Sequence, residues 1–264
     1  MSEKSCGCAC GGCGGKEASD LPARMLCVIP ARFASTRLPE KMLADINGKP
    51  LVMWAYDNAV AADCFDDVLV ATDDRRIFAA VEKHGGKAVM TSVDHQSGTD
   101  RVFEAATGTD ATFVVNLQGD EPDVPAAMLR EFTESLRTIG DRGILTVVTD
   151  ASEADMSNPN AVKAVLGKGG QALYFSRSSI PYDRDGKGVK GFRHIGIYGF
   201  AVKTLSQFVN LEQGRLEKIE KLEQLRALEN GIRIFCMHAQ YDGRGIDTIE
   251  DLEMFRKAVA DRLI

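Results

Sequence analysis

Short apolar runs alternate with longer helix-like segments through the first half of the chain. Residues 25–29 are five consecutive apolar residues between Arg24 and Pro30. A buried strand needs about four to eight such residues and a helix about ten or more, so this run predicts a strand. The alternation continues with helix-like segments and strand-like runs at 50–62, 68–71, 77–84, 88–90 and 112–117. This order favours a mainly parallel sheet covered by helices.

The second half of the chain has longer strand-like segments, which begin at residue 144. They predict a β-rich lobe over about 144–210. The segments are 145–148, 161–166, 172–175 and 194–202. With 264 residues, of which 44% are hydrophobic, the chain can bury one large core or two small ones. We expect a single α/β domain over 24–264 that includes the lobe.

A helix with an apolar stripe is predicted to end near Asn230 and Gly231, a pair that often caps the C-terminus of a helix. Its five apolar residues recur at every third position. They are Leu216, Ile219, Leu222, Leu225 and Leu228. Another helix is predicted over 249–260.

The loop after the first predicted strand carries three cations within ten residues. Arg32, Arg37 and Lys41 can converge on a polyphosphate, because guanidinium groups bind pairs of oxygens and an ammonium acts as a point charge. Ser35, Thr36 and exposed N–H groups of the loop can add hydrogen bonds. This loop contains neither of the common glycine-rich phosphate signatures. The residues alone leave two interpretations open, a polyphosphate site and a solvated basic loop.

Two aspartates, far apart in the sequence, are candidate ligands for a hard cation. Asp120 follows the strand predicted at 112–117, and Asp247 precedes the last predicted helix. Mg²⁺ is typically held by one or two carboxylates together with substrate phosphates. In open α/β sheets ligands gather at the carboxyl ends of strands, so the basic loop, Thr72, Asp73 and Asp120 are expected at one edge. Asp247 has a second interpretation as the N-cap of its helix.

The charge of the chain limits its partners. A net charge of −6 at pH 7 argues against a general nucleic-acid or anionic-membrane surface, because both favour basic patches. An anionic substrate must therefore meet a local positive site. No apolar run approaches the length of about 18 residues needed for a membrane span, and the N-terminus has no apolar signal-peptide core. We expect a cytoplasmic enzyme or binding protein.

Four of the seven cysteines lie in the first 13 residues, in the pattern Cys-x-Cys-x-Cys-x-x-Cys. The pattern could chelate zinc or another thiophilic metal, but it lacks the paired Cys-x-x-Cys knuckles of a structural zinc site. Its glycine-rich spacing favours a flexible tail over 1–23. Cys27 and Cys236 lie in predicted strands and are expected to be small core residues.

Several motifs together resemble one enzyme family. Pro30-Ala-Arg-Phe-Ala-Ser-Thr-Arg-Leu-Pro39 resembles the nucleotide-binding loop of the sugar-activating cytidylyltransferases, in particular the CMP-Kdo synthetases, which act on 3-deoxy-manno-octulosonate (Kdo). One position departs, because Glu40 stands where that family usually has Gly, and its carboxylate could pair with Lys41 and weaken the hold on phosphate. Further segments resemble the family in order and spacing, at 71–74, 90–101, 116–122, 158–163, 172–177, 180–184, 193–199, 216–226 and 245–251. The resemblance covers the chain from about residue 25 to its end.

The resemblance implies a fold, a reaction and a set of site residues. The implied fold is α/β and similar to the nucleotide-diphospho-sugar transferases, a mixed, mainly parallel sheet flanked by helices with a smaller β-rich lobe for dimerisation and sugar binding. The implied reaction joins CTP and Kdo to give CMP-Kdo and diphosphate, with Mg²⁺ as cofactor, in a homodimer that serves lipopolysaccharide biosynthesis. The implied catalytic residues are Arg32, Lys41, Asp120 and Asp247, the last two as metal ligands. The implied nucleotide-binding residues are Ala31, Arg32, Ser35, Thr36, Arg37, Lys41, Thr72, Asp73, Ser97, Gly98 and Thr99. The implied sugar-binding residues are Gln118, Arg177, His194, Tyr198, Glu223 and Gln224.

Two alternatives stay open at this point. Gly214-Arg-Leu-Glu217 departs from the Ser-Pro-Leu-Glu common in Kdo enzymes and resembles relatives that activate 8-amino-3,8-dideoxy-manno-octulosonate. The second alternative is a catalytically silent nucleotide-binding regulatory protein whose cysteine-rich tail senses metal or redox state. Asp120 and Asp247 argue against it, because a pure binding module has little need for two separate metal carboxylates.

Overall fold

A computed structural model describes residues 23–34, 38–188, 191–243 and 245–261. The predicted tail at 1–23 lies almost entirely outside these ranges, as do Ser35, Thr36 and Arg37. The strands are β1 (Met25–Ala31), β2 (Asp45–Ile46), β3 (Lys49–Pro50), β4 (Asp67–Thr72), β5 (Ala88–Met90), β6 (Phe113–Asn116), β7 (Ile144–Asp150), β8 (Lys163–Leu166), β9 (Ala172–Ser176), β10 (Phe192–Ala201) and β11 (Ile234–His238). The helices are α1 (Leu51–Ala61), α2 (Arg75–Lys83), α3 (Gly98–Ala106), α4 (Ala126–Ile139), α5 (Glu153–Ser157), α6 (Val202–Val209), α7 (Arg215–Glu220), α8 (Gln224–Glu229) and α9 (Ile249–Ala260).

Most of the strands form one mixed sheet, which confirms the predicted α/β fold. Its main order is β11-β7-β10-β6-β1-β4-β5. Neighbours are parallel except at β10, which runs antiparallel to β6 and β7. The segment predicted as a β-rich lobe supplies β7 to β10. Of these, β7 and β10 belong to the central sheet, while β8 pairs with the start of β10 and β9 pairs with β8.

The core lies on both faces of this sheet. Every residue of β1 is buried, which explains why its sequence is a continuous apolar run instead of an alternating one. Alternate residues of β1 face two clusters, one packed under α1 and α4 and the other under α3 and α6. The predicted burial of Cys27 is confirmed, while Cys236 is only half-buried beside the second cluster. No helix in the described ranges is long and apolar enough to cross a membrane.

The single helix predicted up to Asn230 is wrong, because the structure has two short helices, α7 and α8. They separate at Lys221, whose backbone is left-handed with φ 54° and ψ 47°. In a helix of about 3.6 residues per turn, positions three apart fall about 60° short of a full turn at each step. The apolar residues from Leu216 to Leu228 would therefore drift around a straight helix. The break at Lys221 returns Leu222 and Leu225 to the core, where both are buried.

Candidate functional site

Two cavities of about 660 Å³ each open at the carboxyl edge of the sheet. The first cavity lies along the loop after β1, the start of α3 and the α7–α8 segment. The second cavity lies along β10, the loop before β8 and the loop before α9. Both cavities are lined by the same four residues, Gln118, Asp120, Lys221 and Asp247. The two spaces therefore meet where the two candidate metal ligands lie.

The backbone brings Asp120 and Asp247 together. Asp120 follows Gly119, where an added Cβ would lie 3.0 Å from the sulfur of Met42 and 3.3 Å from Ile29. This close approach allows only a very small residue at Gly119 without a shift of its neighbours. The carbonyl oxygen of Asp120 accepts a hydrogen bond of 2.9 Å from the N–H of Ile246. That bond fixes the loop that carries Asp247 against the loop that carries Asp120.

A cation already lies between the two carboxylates. The Nζ atom of Lys41 is 2.6 Å from Oδ2 of Asp120 and 3.1 Å from Oδ1 of Asp247. The Lys41 side chain is only 8% exposed. Two carboxylates that share an ammonium group in this way form a cation-binding site. Carboxylate oxygens are also suitable ligands for Mg²⁺. The expected N-cap role at the start of α9 belongs to Thr248, whose hydroxyl accepts from the N–H of Asp251, instead of Asp247.

Glu40 differs from its expected role. Its carboxylate lies 3.9 Å from the guanidinium of Arg76, while Lys41 is engaged with the two aspartates. The backbone of Glu40 is left-handed, with φ 55°. Glycine adopts this conformation at little cost. The departure from glycine at this position therefore concerns backbone strain more directly than the charge of Lys41.

The structure describes part of the predicted nucleotide-binding set around the first cavity. Ala31 is buried at the end of β1, and the exposed Arg32 lines the cavity. Ser97 and Gly98 line it too, at the start of α3, where Ser97 is the N-cap. Ser35, Thr36 and Arg37 lie outside the described residues.

Thr72 and Asp73 are not among the described residues that line the cavity, and Asp73 contacts a residue that does. Oδ2 of Asp73 accepts a hydrogen bond of 2.8 Å from Nη2 of Arg101, and its Oδ1 accepts one of 3.3 Å from the N–H of Phe33. The carbonyl oxygen of the buried Thr72 accepts from the hydroxyl of Thr91. Arg101 itself lines the first cavity, although the sequence did not single it out. The predicted carboxylate at position 73 therefore positions a cation and the start of the basic loop.

Glu223 and Thr99 form a contact between α3 and the break after α7. Oγ1 of Thr99 donates a hydrogen bond of 2.7 Å to Oε2 of Glu223. Burial raises the pKa of Glu223 above its ordinary value. Although the resemblance implies a sugar-binding role for Glu223, this residue lines the first cavity, whereas its neighbour Gln224 lines the second.

The other predicted sugar-binding residues lie together around the second cavity, which is lined by Gln118, Arg177, His194, Tyr198 and Gln224. The ring of His194 lies 5.0 Å from Phe175 and 5.5 Å from Tyr198. Burial lowers the pKa of His194 to about 3, so the ring is neutral at pH 7. Oγ1 of Thr146 donates to the carbonyl of Ile197 and is 2.8 Å from Nε2 of His194. A neutral imidazole carries one N–H, so one of its ring nitrogens donates and the other accepts.

Arg177 is held by three backbone carbonyls. Its Nε donates to the carbonyl of Glu220 at 2.8 Å, its Nη1 to Pro159 at 3.1 Å and its Nη2 to Lys221 at 3.4 Å. The carboxylate of Glu220 in turn accepts from Ser176 and from the N–H of Arg177. A guanidinium has five N–H groups, so two remain for a ligand in the cavity. Arg177 therefore fixes the backbone at the end of α7.

A second network, missed in the sequence, fixes the loop of Asp247. Arg193 donates from Nη1 to the carbonyl of Gly243 at 3.1 Å and from Nη2 to Tyr241 at 3.3 Å. The hydroxyl of Tyr241 donates to Asp123 at 2.5 Å and lies 3.3 Å from Glu121. Burial, with the nearby carboxylates as a smaller cause, raises the pKa of Glu121 to about 8. An arginine within a mostly apolar strand was the signal available in the sequence.

Comparisons of the sequence and of the fold with known proteins agree with one another. Residues 26–234 match the family described as Cytidylyltransferase. The chain is 47% identical over 249 residues to the 3-deoxy-manno-octulosonate cytidylyltransferase of Thermodesulfovibrio yellowstonii, which covers 89% of this chain and 97% of that protein. It is 46% identical over 241 residues to that of Chloroherpeton thalassium, with coverage of 89% and 98%. Its fold is similar to a solved CMP:2-keto-3-deoxy-manno-octonic acid synthetase complexed with CTP, with a TM-score of 0.87, 38% identity and coverage of 91% of this chain and 100% of that chain.

Proposed function

The chain belongs to the 3-deoxy-manno-octulosonate cytidylyltransferase family, and on this premise we propose that it transfers the cytidylyl group of CTP to Kdo, with release of diphosphate. The observation that carries the proposal is the meeting of the two cavities at Asp120 and Asp247. A transfer between two substrates needs two adjoining spaces with the reacting groups at their junction. The use of the product in lipopolysaccharide biosynthesis stays a prediction from the resemblance.

In the proposed reaction, the anomeric hydroxyl of the sugar acid attacks the α-phosphorus of CTP. A bond forms between that oxygen and phosphorus, the bond from phosphorus to the diphosphate oxygen breaks, and the hydroxyl proton is lost to solvent. The first cavity would hold CTP, with Arg32 and Arg101 among its cations, and Ser97 and Gly98 at the start of α3. Such cations stabilise the charge of a triphosphate and of the departing diphosphate.

The second cavity would hold the sugar acid. Its lining combines polar and charged side chains, which suits a ligand with a carboxylate and many hydroxyl groups. His194 is neutral and has one donor and one acceptor nitrogen, while Gln118 and Gln224 offer amide donors and acceptors. Burial also raises the pKa of Tyr198, which keeps its phenol protonated as a donor.

We propose Mg²⁺ as the cofactor, held by Asp120 and Asp247. Bound there, it would lower the pKa of the attacking hydroxyl or neutralise the leaving diphosphate. Within the described ranges no group of three or more His, Cys, Asp and Glu side chains could hold a metal. The remaining ligands would therefore come from the triphosphate and water, as is usual for Mg²⁺. Lys41 would hold the two carboxylates close together.

A homodimer in the cytoplasm completes the proposal. Its support is the family resemblance together with apolar side chains exposed near the outer strand β9, such as Leu173 at 60% and Tyr182 at 86% exposure. Sedimentation equilibrium tests it, with a mass of twice 28.7 kDa expected. A concentration-independent monomer would contradict this part.

The alternative substrate, the 8-amino sugar, rests on the departure at Gly214 and Arg215, and a local contact accounts for the glycine. At Gly214 an added Cβ would lie 1.9 Å from Oε2 of Glu229. Glu229 accepts hydrogen bonds from the N–H groups of Leu216 and Glu217, at the start of α7. The departure at Gly214 therefore fits a local demand of the helix start. Gly214 and Arg215 are not among the described residues that line either cavity.

The test is diphosphate release from CTP and Mg²⁺ with and without Kdo, in the wild type, Asp120→Asn and the surface control Asp141→Asn. Asp141 is 61% exposed and pairs only loosely with Lys203, at 3.5 Å. We expect Kdo-dependent release in the wild type and the control, and its loss in Asp120→Asn. Release with the 8-amino sugar alone would change the assigned substrate. Binding of CTP without release for either sugar would favour the silent regulatory protein.

A further inference from the structure

Lys221 is the cation at the junction of the two cavities. The four residues that line both are Gln118, Asp120, Asp247 and Lys221, so it is the one cation among them. The basic loop contributes Arg32 and Lys41 to the first cavity. Arg177, directly after β9, and Arg193 of β10 line the second. Among these described cations, only Lys221 lines both spaces.

The backbone at Lys221 is strained and firmly held. Its φ of 54° and ψ of 47° lie in the left-handed region, which a residue with a Cβ adopts at a cost and glycine adopts freely. Its N–H donates to the carbonyl of Glu217 at 2.8 Å, and its own carbonyl accepts from Arg177 at 3.4 Å. A lysine at a position where glycine would be less strained points to a use for the side chain.

Several other cations of the site already bind protein groups, while Arg32 and Lys218 line the first cavity and not the second. Lys41 contacts Asp120 and Asp247, and the guanidiniums of Arg177 and Arg193 bind backbone carbonyls. Of the cations that line the first cavity, Arg226 makes two hydrogen bonds of 2.7 and 2.8 Å with Glu217, and Arg101 binds Asp73. Within the described part of the chain, Lys221 makes no ion pair of its own. Its ammonium group is therefore available to bind an anionic ligand.

The proposed substrates create a specific need for such a charge. In Kdo the carboxylate is bonded to the anomeric carbon, so it lies next to the hydroxyl that attacks the α-phosphate of CTP. Two anions must therefore come into contact during the reaction, in a cavity where their repulsion is stronger than in water. A cation that borders both substrate spaces can offset that repulsion.

Resting on the proposed function, we propose that Lys221 is a catalytic residue whose ammonium group bridges the carboxylate of the sugar acid and the α-phosphate of CTP. Lys221 transfers no proton in this role. The bond changes are those already described, formation of the sugar oxygen to phosphorus bond and loss of diphosphate. Because the bridge needs both substrates, its effect falls on the reaction and on sugar binding more than on the binding of CTP alone.

Lys221→Gly tests this role without loss of the fold, since glycine suits the left-handed backbone. We expect a Tm equal to that of the wild type or up to about 3 °C higher. The ratio kcat/KM for Kdo should fall about 100-fold, the usual effect of removing one group that stabilises transition-state charge. The Kd for CTP in the absence of sugar should stay within about threefold. Lys221→Arg should recover part of the lost kcat, because it restores the charge.

Lys203→Met is the matched surface control, because its side chain is 73% exposed on α6. Full activity of Lys221→Gly beside an active wild type would overturn the role of Lys221 alone. A Kd for CTP weakened more than about tenfold, with unchanged dependence on Kdo, would assign Lys221 to nucleotide binding and overturn the bridge. A wild type without sugar-dependent release, beside an intact fold, would overturn the proposed function and the bridge together.

Discussion

Replacement of Lys41 by methionine leaves two carboxylates facing each other without the ammonium group between them. In the wild type Nζ of Lys41 lies 2.6 Å from Asp120 and 3.1 Å from Asp247. Methionine has a similar length and no charge, so the substitution removes the electrostatic contribution with little change in packing. We expect a less stable protein whose stability depends more strongly on Mg²⁺ than that of the wild type.

The size of the effect follows from the exposure of the three side chains. Breaking a fully buried ion pair costs about 3–5 kcal/mol. Lys41 is 8% exposed, but Asp120 is 26% and Asp247 is 40% exposed, so water screens the two carboxylates. Discounted for this screening, the loss in free energy of unfolding is about 2 kcal/mol, or about 4–8 °C in Tm for a chain of this size. Mg²⁺ at about ten times its Kd would return about 1.4 kcal/mol.

The assay is thermal unfolding of the wild type and Lys41→Met in EDTA and in excess MgCl₂. The matched control is Lys87→Met, because Lys87 forms an ion pair with Asp67 on the surface, where its side chain is 63% exposed. Its Tm should stay within about 1 °C of the wild type, since surface ion pairs contribute little. A Tm of Lys41→Met equal to that of the wild type, with the same response of both to Mg²⁺, would refute the reasoning.

Three further predictions concern support of the site. Arg193→Met should raise the Mg²⁺ concentration for half-maximal activity about tenfold, because the arginine fixes the loop of Asp247 from outside the ligand set; an unchanged magnesium titration would count against this. The pKa of His194 is about 3 in the folded chain and 6.5 when unfolded, so its contribution to stability is complete above pH 6.5 and is lost as pH falls towards 3. Between pH 7 and pH 5 the wild type should lose about 1–2 kcal/mol more than His194→Asn in urea unfolding, and equal losses would contradict the assigned burial. Glu40→Gly should raise the free energy of unfolding by at most about 1 kcal/mol and leave diphosphate release unchanged, because it relieves a left-handed backbone; a clear loss of activity would give the carboxylate a role.

The sequence by itself determined most of the local structure. The apolar run at 25–29 became β1, and the segments predicted as helices at 50–62 and 249–260 became α1 and α9. These predictions succeeded because burial imposes a period and a run length on neighbouring residues, and both can be read along the chain. The position of Asp120 after a strand followed from the same reasoning, since carboxyl ends of parallel strands share one edge.

The sequence was less informative where neighbouring residues face different spaces. A repeat of three residues suggested one helix up to Asn230, yet the chain turns at Lys221. The turn places Glu223 at the first cavity and Gln224 at the second. Periodicity reports which residues are buried, but it does not say on which side of a break a polar side chain will lie.

Only the tertiary structure decided what surrounds the two aspartates. Lys41 contacts Asp120 across 79 positions of sequence and Asp247 across 206. The loop of Asp247 is further fixed by Arg193, about 50 positions away from the carbonyls it binds. Such contacts depend on how separate elements pack, because an ion pair is set by distance in space and carries no periodic signal along the chain. The pattern of apolar residues therefore specified the sheet, and the packing of its loops specified the charges at the junction of the cavities.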